Sequence, residues 1–433
     1  MSPMSKKLST EAYKGVRDFY PEDMAVQNQI FNIWKSVAEK YGYQEYNASV
    51  LEPADLYRAK SGEEIVNDQT YTFTDRGDRE VTLRPEITPT VARMVAARKR
   101  ELGYPLRWYS IPNLFRYEQP QRGRIREFWQ LNVDIFGVDS LQAEIETIQM
   151  AYEITKAYGL SDENFEIRIS NRKVLNYITQ TLFSLDFEGS QKLLKLTDKK
   201  NKIPADVFTA TAEGILGDIP DGEKIKKFLA LLNSQNFEEF TQNLQQSAEE
   251  HEGIKEIRQV LQALEKLGIT NARFDQTLVR GSDYYTGIIF EVFDKNPLNR
   301  RSVFGGGRYD DLLDLFGGEK VPAVGFGAGD VIARDLLETY GKLAKPESTF
   351  PADIYICLMN KEVAEYAQDV AQSLRAKGTR VALDYSFRKI GDQIKNANKV
   401  HIPNIICIGE EEVKTGNLKI KNLESGKEES LKI

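Results

Sequence analysis

A chain of 433 residues, 41% hydrophobic and 28% charged, holds enough apolar material for about three globular domains and has no compositional bias of a fibrous or disordered chain. No stretch reaches the ~20 apolar residues that cross a bilayer, and the first thirteen residues lack the apolar core of a signal peptide, so no membrane partner and a cytoplasmic compartment are expected. A net charge of −7 disfavours a uniformly basic nucleic-acid binder, and two cysteines with two histidines leave no zinc-ligand spacing, so no metal site is expected in the protein itself.

From Asp23 the chain reads as an amphipathic helix. Asp23 is placed to cap it, Val26, Ile30, Ile33, Trp34, Val37 and Tyr41 recur at helical spacing, and Gly42 stands where a helix stops. The next hundred residues form short alternating runs between turn residues, the pattern of an antiparallel sheet. Between about Asn171 and Ile269 the helical period returns, most clearly at Ile254, Ile257, Val260, Leu261, Leu264 and Leu267 before Gly268. Strand-like sequence resumes at Arg273 and runs to Gly329, and Asp330 is placed to cap a following helix. Residues 342–351, rich in Lys, Pro and small polar residues, read as a linker. Beyond it strand and helix alternate through Ile354–Met359, Val363–Ala376, Arg380–Asp384, Ile390–Val400 and Ile405–Ile408, as in a small α/β domain with a largely parallel sheet. Cys357 and Cys407 fall within its apolar runs as small buried hydrophobes.

Chemistry must then come from Arg, Asp, Glu, Gln and Tyr. Along Phe128–Ile135, strand alternation puts Trp129, Leu131, Val133 and Ile135 on one face and Phe128, Gln130, Asn132 and Asp134 on the other. The same parity groups Thr82, Arg84 and Glu86, and at a further strand end Arg116 and Glu118. Mixed acids, amides and guanidiniums on three strands suit the floor of a polar ligand pocket better than a solvated face. The link from Gln119 to Glu127 carries Arg122, Arg124 and Arg126 around Gly123, a composition suited to phosphate. No G-x-x-x-x-G-K-[ST] loop is present, so any ATP would be met by side-chain cations on a sheet.

Three sets of residues resemble one family. Thr82-Leu-Arg-Pro-Glu-Ile-Thr88, Phe115-Arg-Tyr-Glu118 with the arginine loop, and Gln130–Asp134 look like motif 2 of a class II aminoacyl-tRNA synthetase. Arg280-Gly-x-Asp-Tyr-Tyr-Thr-Gly287 and Gly305-Gly-Gly-Arg-Tyr-Asp310 resemble the two signatures peculiar to histidyl-tRNA synthetases, and Lys14–Asp18 and Ile408–Glu412 fit the same family. The resemblance implies an α+β catalytic domain, with an antiparallel sheet and flanking helices, over 1–170 and 271–341. It implies a helical insertion over 171–270 and a C-terminal α/β anticodon-binding domain over 352–433. It implies activation of histidine by ATP, with Mg²⁺ escorting the phosphates, transfer to tRNA, and a homodimer. Glu86, Ile87, Thr88 and Gln130 match residues around the histidine α-amino group. Asp134 and Tyr285, with Tyr284 beside them, match those reading the imidazole. Arg116 and Arg280 match the catalytic arginines at the carboxylate and α-phosphate, and Glu118, Arg126 and Phe128 complete the ATP set.

The chain departs from the family pattern at three places. Ser49 stands where the first motif has proline, Ser282 where the signature has leucine, and Ile332 where motif 3 puts an arginine against the adenine ring. Arg334, two residues further along a helix, points about 200° away and is no simple substitute. The nearest alternative is a catalytically reduced paralogue, the synthetase-like regulatory subunit of ATP phosphoribosyltransferase, which lacks the anticodon-binding domain.

Overall fold

The computed structural model describes residues 8–58, 69–217, 222–244, 251–280, 284–299, 301–317, 320–344 and 351–431. The chain divides into two compact units, residues 1–343 and 344–433. Ser282 and most of the expected linker, 345–350, lie outside the described residues.

Helix α1 (Pro21–Lys40) starts two residues before Asp23. Tyr20 is its N-cap without a side-chain bond, and Pro21 supplies a preset first turn with Glu22 and Asp23 behind it. In the first unit nine strands form one sheet: β1 (Gln44–Glu45), β5 (Leu106–Ser110), β6 (Asn113–Phe115), β7 (Glu127–Phe136), β8 (Phe165–Asn171), β9 (Ala272–Phe274), β10 (Ile288–Asp294), β11 (Ser302–Arg308) and β12 (Ala323–Gly329). The order is β1-β5-β7-β12-β11-β10-β8-β9, with β6 also paired to β7. Pairing is antiparallel except at the two edges, where β1 runs parallel to β5 and β9 to β8. A smaller sheet holds β2 (Leu51–Pro53), β4 (Glu80–Leu83) and β3 (Tyr71–Thr74) in that order.

Ten-residue β7 organises the large sheet. Leu131, Val133 and Ile135 are buried in the main core, which α1 closes with Ile30, Trp34 and Val37. Helix α3 (Gln142–Ala157) adds Ile148, Ala151 and Ile154, while the shorter α2 (Thr88–Arg98) caps the other end of the cleft face with Val91, Ala92 and Val95. Between β8 and β9 the described chain is helical, and the last of these helices, Glu252–Lys266, buries Ile254, Ile257, Val260 and Leu264. Helix α4 (Asp330–Thr339) follows β12 directly, with Gly329 as N-cap and Asp330 one position inside.

The expected parity of Thr82, Arg84 and Glu86 fails. Strand β4 ends at Leu83 and belongs to the small sheet, so no pleat joins it to the face of β7. Arg84 is buried away from any ligand surface, donating to the carbonyls of Asn113 at 2.9 Å and Ala48 at 2.8 Å. It holds the chain around Ser49 and contributes no pocket cation.

The second unit forms a five-stranded sheet in the order β14-β13-β15-β16-β17. Strands β13 (Ile354–Leu358), β14 (Val381–Leu383) and β15 (Asn404–Ile408) are parallel, with helices Ala364–Ala376 and Ile390–Lys399 between them. An antiparallel hairpin, β16 (Leu418–Asn422) and β17 (Glu428–Leu431), extends the sheet and went unread in the polar, charged tail.

One buried ion pair fastens α3 to the sheet. Arg308, at the end of β11, meets Glu144 through Nε at 2.6 Å and Nη2 at 2.7 Å, with side chains 7% and 1% exposed. Removing one partner leaves a buried charge uncompensated, so Glu144→Ala should destabilise the first unit by about 3–5 kcal/mol in urea unfolding. A loss below about 1 kcal/mol would show that the sheet holds its register without the pair.

Candidate active site

A cleft of about 1460 Å³ opens on the face of the large sheet opposite α1. That exceeds the range of about 300–1,000 Å³ usual for one small ligand. Phe128, Gln130, Asn132 and Asp134 line it together, as strand alternation on β7 requires. Glu86 enters from the loop before α2 and Thr88 from the first residue of that helix, Arg116 and Glu118 from the chain just after β6, and Arg280, Tyr284 and Tyr285 from the segment before β10. Ile87 is fully buried and adds no side chain to the lining. The insertion contributes Lys195, Lys199 and Lys202 to the rim.

Polar side chains lie flat across this floor because the neighbouring strands carry no Cβ there. A Cβ on Gly305 of β11 would overlap the Arg280 guanidinium. One on Gly325 of β12 would stand 2.5 Å from Asp134 Oδ1 and 3.1 Å from the Tyr309 hydroxyl, and one on Gly327 would stand 2.9 Å from Gln130 Nε2. The glycine runs, weak signals in the sequence, are the space that the functional side chains occupy.

At one end of the floor Asp134 is 3% exposed. The Tyr309 hydroxyl donates to its Oδ1, while Oδ2 is buried without a hydrogen-bond partner among the described residues. Burial pushes the carboxyl up to about 7, against the opposing effect of the Tyr309 hydrogen bond. Tyr284 packs 5.8 Å from Tyr309 and 4.9 Å from Tyr285. At the other side Arg280, in the left-handed region with φ 59°, donates from Nη1 to Glu291 Oε1 at 2.9 Å and from Nη2 to the Tyr285 hydroxyl at 3.2 Å. Burial alone would lower this guanidinium; Tyr285, Glu291 and Tyr284 outweigh it, so Arg280 is a fixed cation.

Arg116 donates from Nε to the Pro85 carbonyl at 2.9 Å, and its guanidinium carbon lies 5.4 Å from the centre of the Phe128 ring. In the arginine loop, Arg124 pairs with Glu118 at 3.2 Å and lines the cleft. Arg126 is not brought there. Its guanidinium donates to the Glu118 carbonyl and the Tyr13 hydroxyl and lies over the Tyr117 ring at 4.0 Å, binding the N-terminal segment to the loop. Arg334 pairs with Asp23 of α1 at 2.8 Å, turned from the cleft as helical spacing requires.

Three contributors escaped residue-by-residue reading. Glu291 sits mid-strand on β10 with no motif around it, and its role appears only as the partner of Arg280 and Ser302. Tyr309 falls in the Gly305–Asp310 run, and only its buried hydroxyl bond to Asp134 reveals its role. Asp330, read as a cap, is fully buried and accepts from Arg17 at 2.6 Å, Gln27 at 3.0 Å and the Trp129 backbone at 2.9 Å, which fastens the opening Lys14–Asp18 segment to β7. Among the described residues no cluster of three or more His, Cys, Asp or Glu is arranged to hold a metal, and no helix is long and apolar enough to cross a membrane.

Residues 15–329 match the family model described as histidyl-tRNA synthetase, and residues 353–433 match that of an anticodon binding domain. A histidine–tRNA ligase of Leptospira biflexa is 42% identical over 97% of this chain and 94% of its own. That of Halobacterium salinarum is 37% identical over 96% and 94%. The crystal structure of a histidyl-tRNA synthetase from Nostoc sp. PCC 7120 shares the fold with a TM-score of 0.80 at 24% identity, covering 98% and 97% of the two chains.

The Asp134 carboxyl gives a pH-dependent stability. Its value rises on folding from 3.8 to about 7, so the folded state holds the extra proton between those limits. The stability this contributes is full below pH 4 and is lost as pH rises through 7. Asp134→Asn, which still accepts from Tyr309, should be more stable than the parent at pH 8 by on the order of a few kcal/mol, by less than about half of that at pH 5, and equal to it below pH 4. An equal difference at pH 8 and pH 5 would mean that Asp134 is ionised throughout.

Proposed function

Since the chain belongs to the histidyl-tRNA synthetase family and is an ATP-dependent ligase that charges tRNA with histidine, we propose that its cleft is where histidine becomes an adenylate before transfer to the tRNA 3′ end. The observation that carries this assignment is Asp134 Oδ2, a buried carboxyl oxygen without a partner among the described residues that becomes an acceptor as the group ionises near pH 7, lying in the same cleft as the fixed cation Arg280. A site whose own acceptor stays unpaired unless a ligand N–H fills it discriminates strongly for that ligand. Asp134 and Tyr285, with Tyr284 beside them, take the imidazole. Glu86, Thr88 and Gln130 take the α-amino group, with Gln130 about 13 Å from Asp134 along the strand at ~3.3 Å per residue. Ile87 holds the backbone between Glu86 and Thr88 from inside the core.

In the reaction a histidine carboxylate oxygen forms a bond to the α-phosphorus as the bond to the β-phosphate oxygen breaks, and pyrophosphate leaves. An anion attacks an anion, so the need is for cations already in place where charge builds. Arg116 and Arg280 fill that role, since a guanidinium keeps its proton and its fork fits phosphate oxygens. Phe128 offers a face to the adenine. Mg²⁺ would arrive with the triphosphate and neutralise it; Glu118, at that end of the cleft, is the carboxylate suited to share it. Arg126 serves this site by positioning the loop and not by touching ATP.

Residues 352–433 act as the tRNA-reading unit, and 171–270 as a helical module inserted into the activation domain formed by 1–170 and 271–341. The regulatory-subunit alternative loses its footing with the anticodon-domain match. Leu51 and Phe73, about half exposed on the small sheet, offer apolar surface to a second copy, consistent with a homodimer, and we place the enzyme in the cytosol.

Histidine-dependent exchange of pyrophosphate into ATP tests this reading. Histidine alone among the amino acids should support exchange, and Arg280→Ala, checked for folding because it strands Glu291, should lower turnover about 10²–10³-fold. Absence of exchange in the folded parent would refute the assignment; a defect confined to histidine affinity would take Arg280 off the reacting phosphate.

A further inference from the structure

The first turn of α4 carries Val331 and Ile332 behind Asp330 and no cation, and the helix's arginine, Arg334, is bound to Asp23. Another cation stands beside Ile332. Arg301 comes from the turn between β10 and β11, and Gly123, at the tip of the arginine loop with φ 73°, packs directly on it. A methyl group on Gly123 would lie 2.9 Å from Arg301 Cδ and 3.7 Å from Ile332 Cγ1. Arg301, Ile332, Gly123 and Phe128 all line the cleft. The loop is anchored here as well, because Arg122 donates to Asn299 Oδ1 at 3.3 Å and lies 3.8 Å from Asp335.

The neighbouring guanidiniums already have partners: Arg116 the Pro85 carbonyl, Arg124 the Glu118 carboxylate, Arg280 the Glu291 carboxylate. Arg301 makes no hydrogen bond or ion pair among the described residues. Burial and the charge of Arg124 both push its proton affinity down, and only Glu118 opposes them. Two crowded cations, one without a counter-ion, form a site that an arriving polyanion relieves.

We propose that Arg301 binds the terminal phosphates of ATP, supplying from the β10–β11 turn a cation that the start of α4 lacks. Ile332 is then left as an apolar wall of the cleft beside it. The proposal rests on the cleft being the adenylation site.

Losing one charge-assisted contact to phosphate weakens binding about 10- to 100-fold. Arg301→Ala should therefore raise KM for ATP by that factor in pyrophosphate exchange while KM for histidine changes less than about twofold. In the reverse reaction, from histidyl-adenylate, KM for pyrophosphate should rise in parallel, since pyrophosphate is the fragment carrying those phosphates. Arg301→Lys should recover part of both losses. An unchanged KM for ATP in a folded Arg301→Ala protein would overturn the proposal. So would an equal rise for histidine, which marks a structural role, or a rise for ATP without one for pyrophosphate, which moves Arg301 to the base. A parent without histidine-dependent exchange would remove the adenylation reading and this proposal together; an active parent with an indifferent variant would remove only this one.

Discussion

The cleft exists because three positions beside it have no side chain. A sheet normally raises a Cβ at every second residue of each strand, and a guanidinium or carboxamide could not lie across such a surface. At Gly305, Gly325 and Gly327 that row is missing, and Arg280, Asp134 with Tyr309, and Gln130 fill the space. Close packing leaves no slack for a methyl group there. The glycines therefore determine the height at which the ligand-facing groups sit, and β7, held between β5 and β12, determines their spacing.

Two buried ionic arrangements divide the labour around this floor. Arg280 with Glu291 lies inside the cleft, and the tyrosines beside it favour its charged form. Arg308 with Glu144 lies on the far side of the same hairpin and ties α3 to β11. Asp330 adds a third tie, joining the N-terminal segment, α1 and the β7 backbone at one carboxylate. A preorganised cation needs such rigidity, since its value lies in not moving while charge develops.

Much of this was legible in residues 128–135, where period-two alternation on a long central strand separates core from cleft without help from the rest of the chain. The same reasoning failed at Thr82, Arg84 and Glu86 because parity holds only within one strand, and β4 ends at Leu83 in a different sheet. Composition marked the 119–127 loop as basic but could not say which arginine turns inward; Arg126 spends its donors on Tyr13 and the Glu118 carbonyl. Glu291 was invisible, because a buried acid in an apolar strand shows its purpose only when its partner, eleven residues earlier, is seen against it. The β16–β17 hairpin was missed although Leu418 and Ile420 alternate with Lys419 and Lys421, because that run is short and its partner β17 is exposed from Glu428 to Ser430 and shows no alternation.

The order of strands has a consequence for synthesis. Strand β7 meets β5 as soon as both have left the ribosome, and α1 and α3 are then available to cover Leu131, Val133 and Ile135. Its other neighbour, β12, begins at Ala323, about 190 residues after β7 ends, with the whole insertion between. At a translation rate of about 5–20 residues per second, the nascent chain carries that edge unpaired for on the order of ten to forty seconds. The exposed edge is flanked by Gln130, Asn132 and Asp134 on the face that will become the cleft, and polar side chains there discourage pairing with a neighbouring nascent chain. The residues suited to gripping a substrate thus also protect the growing polypeptide before there is any cleft to line.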